Sequence, residues 1–137
     1  RELMDLRGAL ERHAASTTLR SSTAPVEKMR AILDEQKALM NSADPASAKE
    51  FIDIDGRFHQ ALIDAAGSEL LSASYARLRT RQLRAGLTAL STTPDRQDAV
   101  CHEHEAIVDA LALGDESAVH HAIDDHLQIT LQALLLG

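Results

Sequence analysis

Residues typical of sheet proteins and of disulfide-rich scaffolds are scarce in this chain. Tryptophan is absent, and the aromatic residues are limited to Phe51, Phe58 and Tyr75. The single cysteine, Cys101, rules out an internal disulfide and fits a reducing cytoplasm. Six glycines and three prolines are few for 137 residues, whereas alanine and leucine are abundant. This composition predicts an all-α protein.

Long apolar runs and a signal peptide are also missing, which argues against a membrane segment in the chain. Positive charge is in deficit, because 14 lysines and arginines face 21 acidic residues and the formal net charge is −7. The one dense basic group, Arg77, Arg79, Arg81 and Arg84, has no aromatic residues interleaved and is typical of a solvated helix face. We therefore do not expect this chain alone to bind nucleic acid.

The length and hydrophobic content indicate one domain. A chain of 137 residues with 45% hydrophobic content can bury a substantial core but leaves little room for a second domain. We therefore interpret 1–137 as a single domain. The chain begins abruptly on helix-like sequence, so we expect it to be a fragment of a longer protein.

Helical periodicity and start and stop signals divide the chain into about six helices joined by short turns, which favours an antiparallel bundle. The first predicted helix is 3–19, with an inward stripe of Leu3, Leu6, Leu10 and Ala14. The next three run from Pro25 to about Asn41, from Asp44-Pro45 to Gly67, and from Ser68 to about Leu90. The fifth follows the break Ser91-Thr92-Thr93-Pro94 and ends at Gly114, and the sixth is capped by Asp115 and runs to the apolar tail 134–136. No internal repeat or low-complexity segment interrupts this pattern.

Two potential metal ligands lie on the third predicted helix. Asp55 and His59 are one helical turn apart, so a carboxylate oxygen and an imidazole nitrogen can reach the same point. This is how a helix presents two ligands to a metal ion. The pair would form part of a metal site if other helices supply further ligands.

Two histidines on the last two predicted helices face the core. His104 continues the apolar stripe of Val100 and Ile107, and His126 continues the stripe that includes Ile123. Both helices therefore direct an imidazole inward.

The other four histidines are not predicted in the core. His102 and His121 align with acidic and amide residues on their helices and should face water. His120 aligns with both polar and apolar neighbours, so its position stays open. His13 lies near the end of the first helix, where a solvated role is expected.

The inward groups together predict a metal site. A lone inward histidine is more often a hydrogen-bonded core residue than a ligand. Four ionisable groups in one small core are costly unless something satisfies them, and a divalent cation bound by Asp55, His59, His104 and His126 would do so. Three imidazoles and a carboxylate fit zinc, and also nickel, manganese or iron if water or an anion completes a larger shell.

Three groups of motifs follow one another along nearly the whole chain. The first group is Leu6-Arg7-x-x-Leu10-Glu11. The second is Asp55-x-x-Phe58-His59-Gln60-Ala61-Leu62, followed by Ala65-Ala66-Gly67. The third is Glu103-His104-x-x-Ile107-x-x-Ala110-Leu111, followed by Gly114-Asp115-x-x-Ala118 and Asp125-His126-Leu127. In this order and spacing they resemble the effector domain (FCD) of FadR-type regulators in the GntR family. One departure is Ser68, where the family often has asparagine after the glycine.

The resemblance implies a helical C-terminal sensing domain, normally joined to an N-terminal winged helix-turn-helix that binds operator DNA as a dimer. That DNA-binding domain is absent from this chain, so DNA would be bound only through the missing part. In many members an aspartate and three histidines hold a metal, and a small organic acid binds beside or on it. The matching positions are Asp55, His59, His104 and His126. A cytoplasmic homodimer is expected.

An organic-acid effector needs cationic groups for its carboxylate, and a bidentate arginine is the usual solution. Arg7 shares a face with Leu10, and Arg81 follows Leu78 on the fourth predicted helix, so both could line the pocket. The alternative is that each reaches the surface or pairs with an acid such as Glu11.

Two other functions stay open from the residues. A metal-dependent hydrolytic enzyme could use the same four ligands, but no HExxH motif is present and no inward glutamate is expected to serve as general base. A metal-free interaction module with buried histidines is the third reading. Cys101 lies near His104 and could be a soft ligand, although a small buried residue is the ordinary interpretation.

Overall fold

Residues 1–40, 44–92 and 95–136 are described by the computed structural model. They form seven α-helices and no strand, so the predicted all-α class is confirmed. The helices are α1 (Glu2–Ser21), α2 (Val26–Ala38), α3 (Pro45–Ala65), α4 (Glu69–Ala76), α5 (Arg79–Thr92), α6 (Arg96–Leu113) and α7 (Glu116–Leu136). None of these helices is long and apolar enough to cross a membrane.

The capping residues act as their sequence predicts. The side chains of Asp44, Ser68 and Asp115 each accept a hydrogen bond from a backbone N–H in the first turn of the helix that follows. Gly114 ends α6 with a φ of 71°, a conformation that costs glycine little because it has no Cβ.

Two predicted helix boundaries fall partly outside the described residues. α2 ends at Ala38, shortly before the predicted end at Asn41, which lies outside them. α5 ends at Thr92, inside the predicted break, and Thr93 and Pro94 are likewise not described.

The segment predicted as one helix from Ser68 to Leu90 forms two helices, α4 and α5. A turn at Arg77 and Leu78 separates them, and the Leu78 N–H donates to the Tyr75 carbonyl three residues back. Tyr75 and Leu78 are both buried, and the turn lets α4 pack against α1 and α3 while α5 packs against α3 and α7. Periodicity could not show this turn, because neither glycine nor proline marks it.

The inward face of α1 differs from the predicted leucine stripe. Leu6 is 46% exposed, whereas Arg7 and Glu11 are 4% and 1% exposed. The two charges can be buried because they form an ion pair, with 3.1 Å between Arg7 Nε and Glu11 Oε2. The predicted stripe is therefore wrong at Leu6, whereas Leu3, Leu10 and Ala14 pack in or against the core and Arg7 lies on the same inner face, as expected.

Helix α3 lies at the centre of the bundle and positions the candidate ligands. It packs against α1, α2, α4 and α5, and α7 packs against α1, α5 and α6. Phe51, Phe58 and Leu62 of α3 are fully buried at these contacts. Asp55 and His59 lie on the same helix, so they are held in place by its contacts with four other helices.

Gly86 allows α5 to pack closely on α3. A Cβ at this position would lie 2.9 Å from both Cδ1 and Cγ2 of Ile52, closer than carbon atoms normally approach. Ile52 cannot easily turn away, because a β-branched side chain has one strongly preferred rotamer in a helix. We expect Gly86→Ala to lower the free energy of unfolding by about 1–2 kcal/mol, since overpacking outweighs the gain in helix propensity. Urea denaturation would measure the change.

The matched control is Gly56→Ala on α3. A Cβ there would meet only Arg79 Nη1, at 3.9 Å among the described atoms, which is ordinary contact. This substitution should be neutral or stabilising by about 0.5–1 kcal/mol, because alanine is the better helix former. Equal effects of the two substitutions would show that the α3–α5 contact at Gly86 is looser than described.

Candidate metal centre

The structure brings together the four residues that periodicity selects. Asp55 and His59 come from α3, His104 from α6 and His126 from α7. One nitrogen or oxygen atom from each lies within 4.8 Å of the others, and within the described part of the chain this is the group that could hold a metal ion. Asp55 Oδ1 is 3.0 Å from His104 Nε2 and 3.8 Å from His59 Nε2.

Each of the three imidazoles is fixed by an acceptor at its other nitrogen. Nδ1 lies 2.5 Å from Glu11 Oε1 in His59, and 2.6 Å from Glu103 Oε1 in His126. In His104, Nδ1 lies 2.9 Å from Gln36 Oε1, and the ring stacks on Phe58 with centroids 4.0 Å apart. A hydrogen bond at the far nitrogen is the usual support of a metal-bound histidine, because it fixes both ring orientation and tautomer.

The Gln36 amide shows which tautomer His104 adopts. The Gln36 NH₂ group donates to the Phe51 carbonyl, so its oxygen is the atom that faces the imidazole. An amide oxygen can only accept, and His104 Nδ1 must therefore carry the proton. In the neutral imidazole the lone pair is then on Nε2, the nitrogen that lies 3.0 Å from Asp55 Oδ1, and this is the form in which histidine binds a metal.

Two of the four donor atoms form no hydrogen bond of regular geometry in the described structure. They are His59 Nε2 and His104 Nε2, both fully buried, although Asp55 Oδ1 lies 3.0 Å from the latter. Unsatisfied buried nitrogens are costly, and a bound cation would satisfy both at once. The donor set therefore fits a divalent ion such as zinc, whose tetrahedral ligand atoms lie roughly 3.4 Å apart, after a small inward movement of the side chains.

Burial and local charge act in opposite directions on the ligands. Burial alone would raise the pKa of Asp55, but the adjacent imidazoles, above all His104, hold it well below its ordinary range. Burial lowers the pKa of His104 and that of His126. The nearby imidazoles of His104 and His59 lower the pKa of His126 further. Asp55 is therefore the ionised carboxylate that a cation requires, and the lowered pKa values of His104 and His126 favour the neutral imidazoles that bind metals.

Arg7 and Tyr75 hold the carboxylate that supports His59. Arg7 Nε donates to Glu11 Oε2 over 3.1 Å, and the Tyr75 hydroxyl donates to the same oxygen over 2.9 Å. Burial alone would raise the pKa of Glu11, but His59 and Arg7 bring it well below its ordinary value of 4.5. Glu11 therefore remains a carboxylate although it is buried.

A second arginine and carboxylate support His126 in the same way. Arg96 Nη1 and Nη2 donate to the two oxygens of Glu103 over 2.7 and 3.1 Å. Arg96 Nη2 also donates to Thr130 Oγ1 over 2.7 Å. Sequence reasoning missed Arg96, which follows the predicted break and has a side chain only 3% exposed.

A small cavity adjoins the candidate ligands between α1, α3, α5, α6 and α7. Its polar lining consists of Arg7, Asp55, Gln82, Arg96, His126 and Thr130. The rest of the wall is mainly apolar, and the cavity volume is about 20 Å³. That volume holds about one water molecule, so a larger molecule would have to displace side chains or occupy the open side.

Of the two arginines predicted to bind an effector, the structure brings only Arg7 to the cavity. Arg81 is exposed on α5 and is not among the cavity-lining residues. The neighbouring Gln82, together with Ala85 and Gly86, lies on the face of α5 that lines the cavity. Arg81 is displaced because its placement relied on one continuous helix from Ser68 to Leu90, and the turn before α5 changes the register.

Two glutamates face the core beside the candidate ligands, although no inward glutamate was expected to serve as general base. Glu11 is 1% exposed, and the Glu103 side chain is 13% exposed. A signal was present in the sequence, because Glu11 lies one turn after Arg7 and Glu103 lies two turns after Arg96. Both carboxylates are paired with an arginine and a histidine, so neither is free to act as a general base.

The remaining histidines and the cysteine lie away from the cluster. His13, His102 and His121 are exposed, as predicted. His120, whose position the sequence left open, is half-buried and contacts Ser16 Oγ at 2.8 Å through Nε2. Cys101 is buried, is not part of the ligand group, and has a pKa raised to about 11 by burial.

The model of the FCD domain family matches residues 2–129, which is nearly the whole chain. The chain belongs to the FCD family. FCD domains are the C-terminal, effector-binding regulatory domains of FadR/GntR-type regulators. No curated protein matches this FCD domain closely enough to narrow its role.

Proposed function

We propose that this FCD domain is a metal-containing sensor of a small organic acid. The observation that carries the proposal is the set of three imidazoles, each oriented by an acceptor at Nδ1, that lie with Asp55 so that one ligand atom from each residue is within 4.8 Å of the others. Asp55, His59, His104 and His126 would hold the ion. A divalent ion bound there would supply a positive charge and an open position for a carboxylate oxygen.

The cavity beside the four ligands is the proposed effector site. Arg7 and Arg96 line it, and each keeps a fully buried N–H group without a partner among the described residues. Guanidinium groups in a desolvated pocket are the usual partners of carboxylates. Arg96 therefore replaces Arg81 in the proposed set of effector-binding residues.

Regulation would follow from unequal binding of the effector to two arrangements of the bundle. The cavity is bounded by five helices, so an acid that enters it must alter how α1 and α5 sit against α3 and α7. In the full-length protein, which we propose to be a cytoplasmic homodimer, that change would reach the N-terminal DNA-binding domains. The regulatory role of FCD domains favours this proposal over a metal-dependent hydrolase with the same ligands.

Removal of the metal should destabilise the domain. Protein purified without a histidine tag is expected to carry about one equivalent of a divalent metal, measured by plasma mass spectrometry. An ion at 100 to 1,000 times its dissociation constant contributes about 3–4 kcal/mol of stability, so chelation with EDTA should lower Tm by roughly 10 °C. Calorimetric scans with and without EDTA would measure the shift.

Re-addition of zinc to the chelated protein should restore Tm, which separates metal loss from irreversible damage. Protein that contains no metal, takes up none and melts at the same temperature with EDTA would instead be a metal-free interaction module. The proposal would then be abandoned.

A further inference from the structure

The two cavity arginines are already engaged by carboxylates of the protein itself. Glu103 occupies both terminal nitrogens of Arg96, and Glu11 occupies Nε of Arg7. The unpartnered donors of these side chains, in the described structure, are Arg96 Nε and Arg7 Nη2. Each arginine can therefore offer a hydrogen bond to an effector, but neither offers an uncompensated positive charge.

With a divalent ion bound, the net charge of the buried groups around the cavity would be balanced by one additional negative charge. The buried groups comprise the cations Arg7 and Arg96 and the carboxylates Asp55, Glu11 and Glu103, which together give a net charge of −1 when the histidines are neutral. A divalent ion at the candidate site changes this to +1. A monoanion would bring the buried group to neutrality, whereas a dianion would leave an uncompensated negative charge away from water.

The apolar wall adds to this preference. Ile52, Ala85, Ala89 and Leu90 lie on the α3 and α5 sides of the cavity. A second carboxylate on the effector would lie against these apolar side chains. It would have no unpaired cation as a partner, because Arg7 and Arg96 are already paired with Glu11 and Glu103. A methyl group at the same position would be buried favourably.

From these observations we propose that Glu11 and Glu103 determine the effector's charge: by neutralising Arg7 and Arg96, they make the cavity select a short monocarboxylate and reject dicarboxylates. This inference rests on the proposed metal-dependent sensing function. Glu103 and Glu11 thereby act as specificity-determining residues without contacting the acid.

Glu103→Gln is the variant that tests this role. An amide at this position can still accept a hydrogen bond from His126, as the amide of Gln36 does for His104. The substitution removes one negative charge and releases Arg96 to pair with a ligand. The metal-loaded cavity would then carry a net charge of +2 and accommodate a dianion.

Butyrate and succinate are suitable probes, because they have equal chain lengths and differ by a methyl or a carboxylate group at one end. Titration calorimetry on the metal-loaded domain should give at least about tenfold tighter binding of butyrate by the wild type. In Glu103→Gln the ratio of the two dissociation constants should shift by at least about tenfold towards succinate. Glu11→Gln should shift it in the same direction through Arg7.

Glu105→Gln is the matched control, because Glu105 lies on the same helix but pairs with Lys37 at the surface. It should leave the butyrate-to-succinate ratio unchanged. Metal content and circular dichroism of every sample would show that each variant is folded and loaded.

Three results would overturn the inference: equal or tighter binding of succinate by the wild type, no binding of either acid to metal-loaded wild type, or an unchanged ratio in both glutamine variants that fold. Absence of metal from the wild-type protein would be a different result, since it would contradict the sensing proposal itself.

Discussion

Substitution of His104 by alanine is expected to abolish stoichiometric metal binding and to weaken zinc affinity by at least about 100-fold. Loss of a residue that merely supports a ligand commonly costs 10- to 100-fold, and loss of the ligand itself should exceed that range. His104 is fully buried, its tautomer is fixed by Gln36, and its Nε2 lies closer to Asp55 than His59 Nε2 does. A competitive chelator titration would measure the affinity.

The matched control is His102→Ala, on the same helix but exposed to solvent. It should retain one equivalent of metal and the wild-type affinity. Retention of full metal by His104→Ala would refute the site, because the other three ligands come from only two helices. The same result would favour the reading in which the histidines are core residues.

Substitution of Glu11 by alanine is expected to cause the largest loss of stability in the domain, about 3–5 kcal/mol in the free energy of unfolding. The cost arises from the partners left behind rather than from the carboxylate. Arg7 would be a buried cation without its counterion, and Tyr75 and His59 would each lose an acceptor. Urea denaturation of the metal-free forms would isolate this effect from metal binding.

The difference between wild type and Glu11→Ala should also depend on pH. Because the folded-state pKa of Glu11 is lowered, its contribution is fully present above its ordinary value of 4.5 and is lost as the pH falls below that value. Glu35→Ala is the control, since Glu35 pairs with Arg57 in solvent and should contribute only about 0–1 kcal/mol. A loss below about 1 kcal/mol for Glu11→Ala at neutral pH would contradict the buried network.

Helical periodicity predicted the parts of the molecule in which apolar residues dominate. His104 and His126 follow stripes of branched aliphatic residues, so their inward orientation could be read from the sequence, and Asp55 and His59 are linked by helix geometry alone. The caps at Asp44 and Asp115 were equally readable, because they depend on one side chain and the next turn of backbone.

The side-chain positions that the sequence did not predict depend on contacts between segments that are distant in the chain. Glu11 is buried because His59 and Tyr75 contact its carboxylate, whereas a hydrophobicity scale assigns it to the surface. The inward position of Arg7, by contrast, follows from the face that it shares with Leu10. Arg96 is buried only because Glu103 and Thr130 partner it across two helices. Arg81 is the opposite case. It was expected to line the pocket, but the turn between α4 and α5, which no glycine or proline marks, places it at the surface.

The candidate site gathers side chains from five helices, because the ligands lie on α3, α6 and α7 and two of their supporting groups, Glu11 and Gln36, lie on α1 and α2. Local opening of the bundle at any of these helices would therefore weaken the hold on an ion at this junction, so its exchange rate is expected to rise as the domain is destabilised.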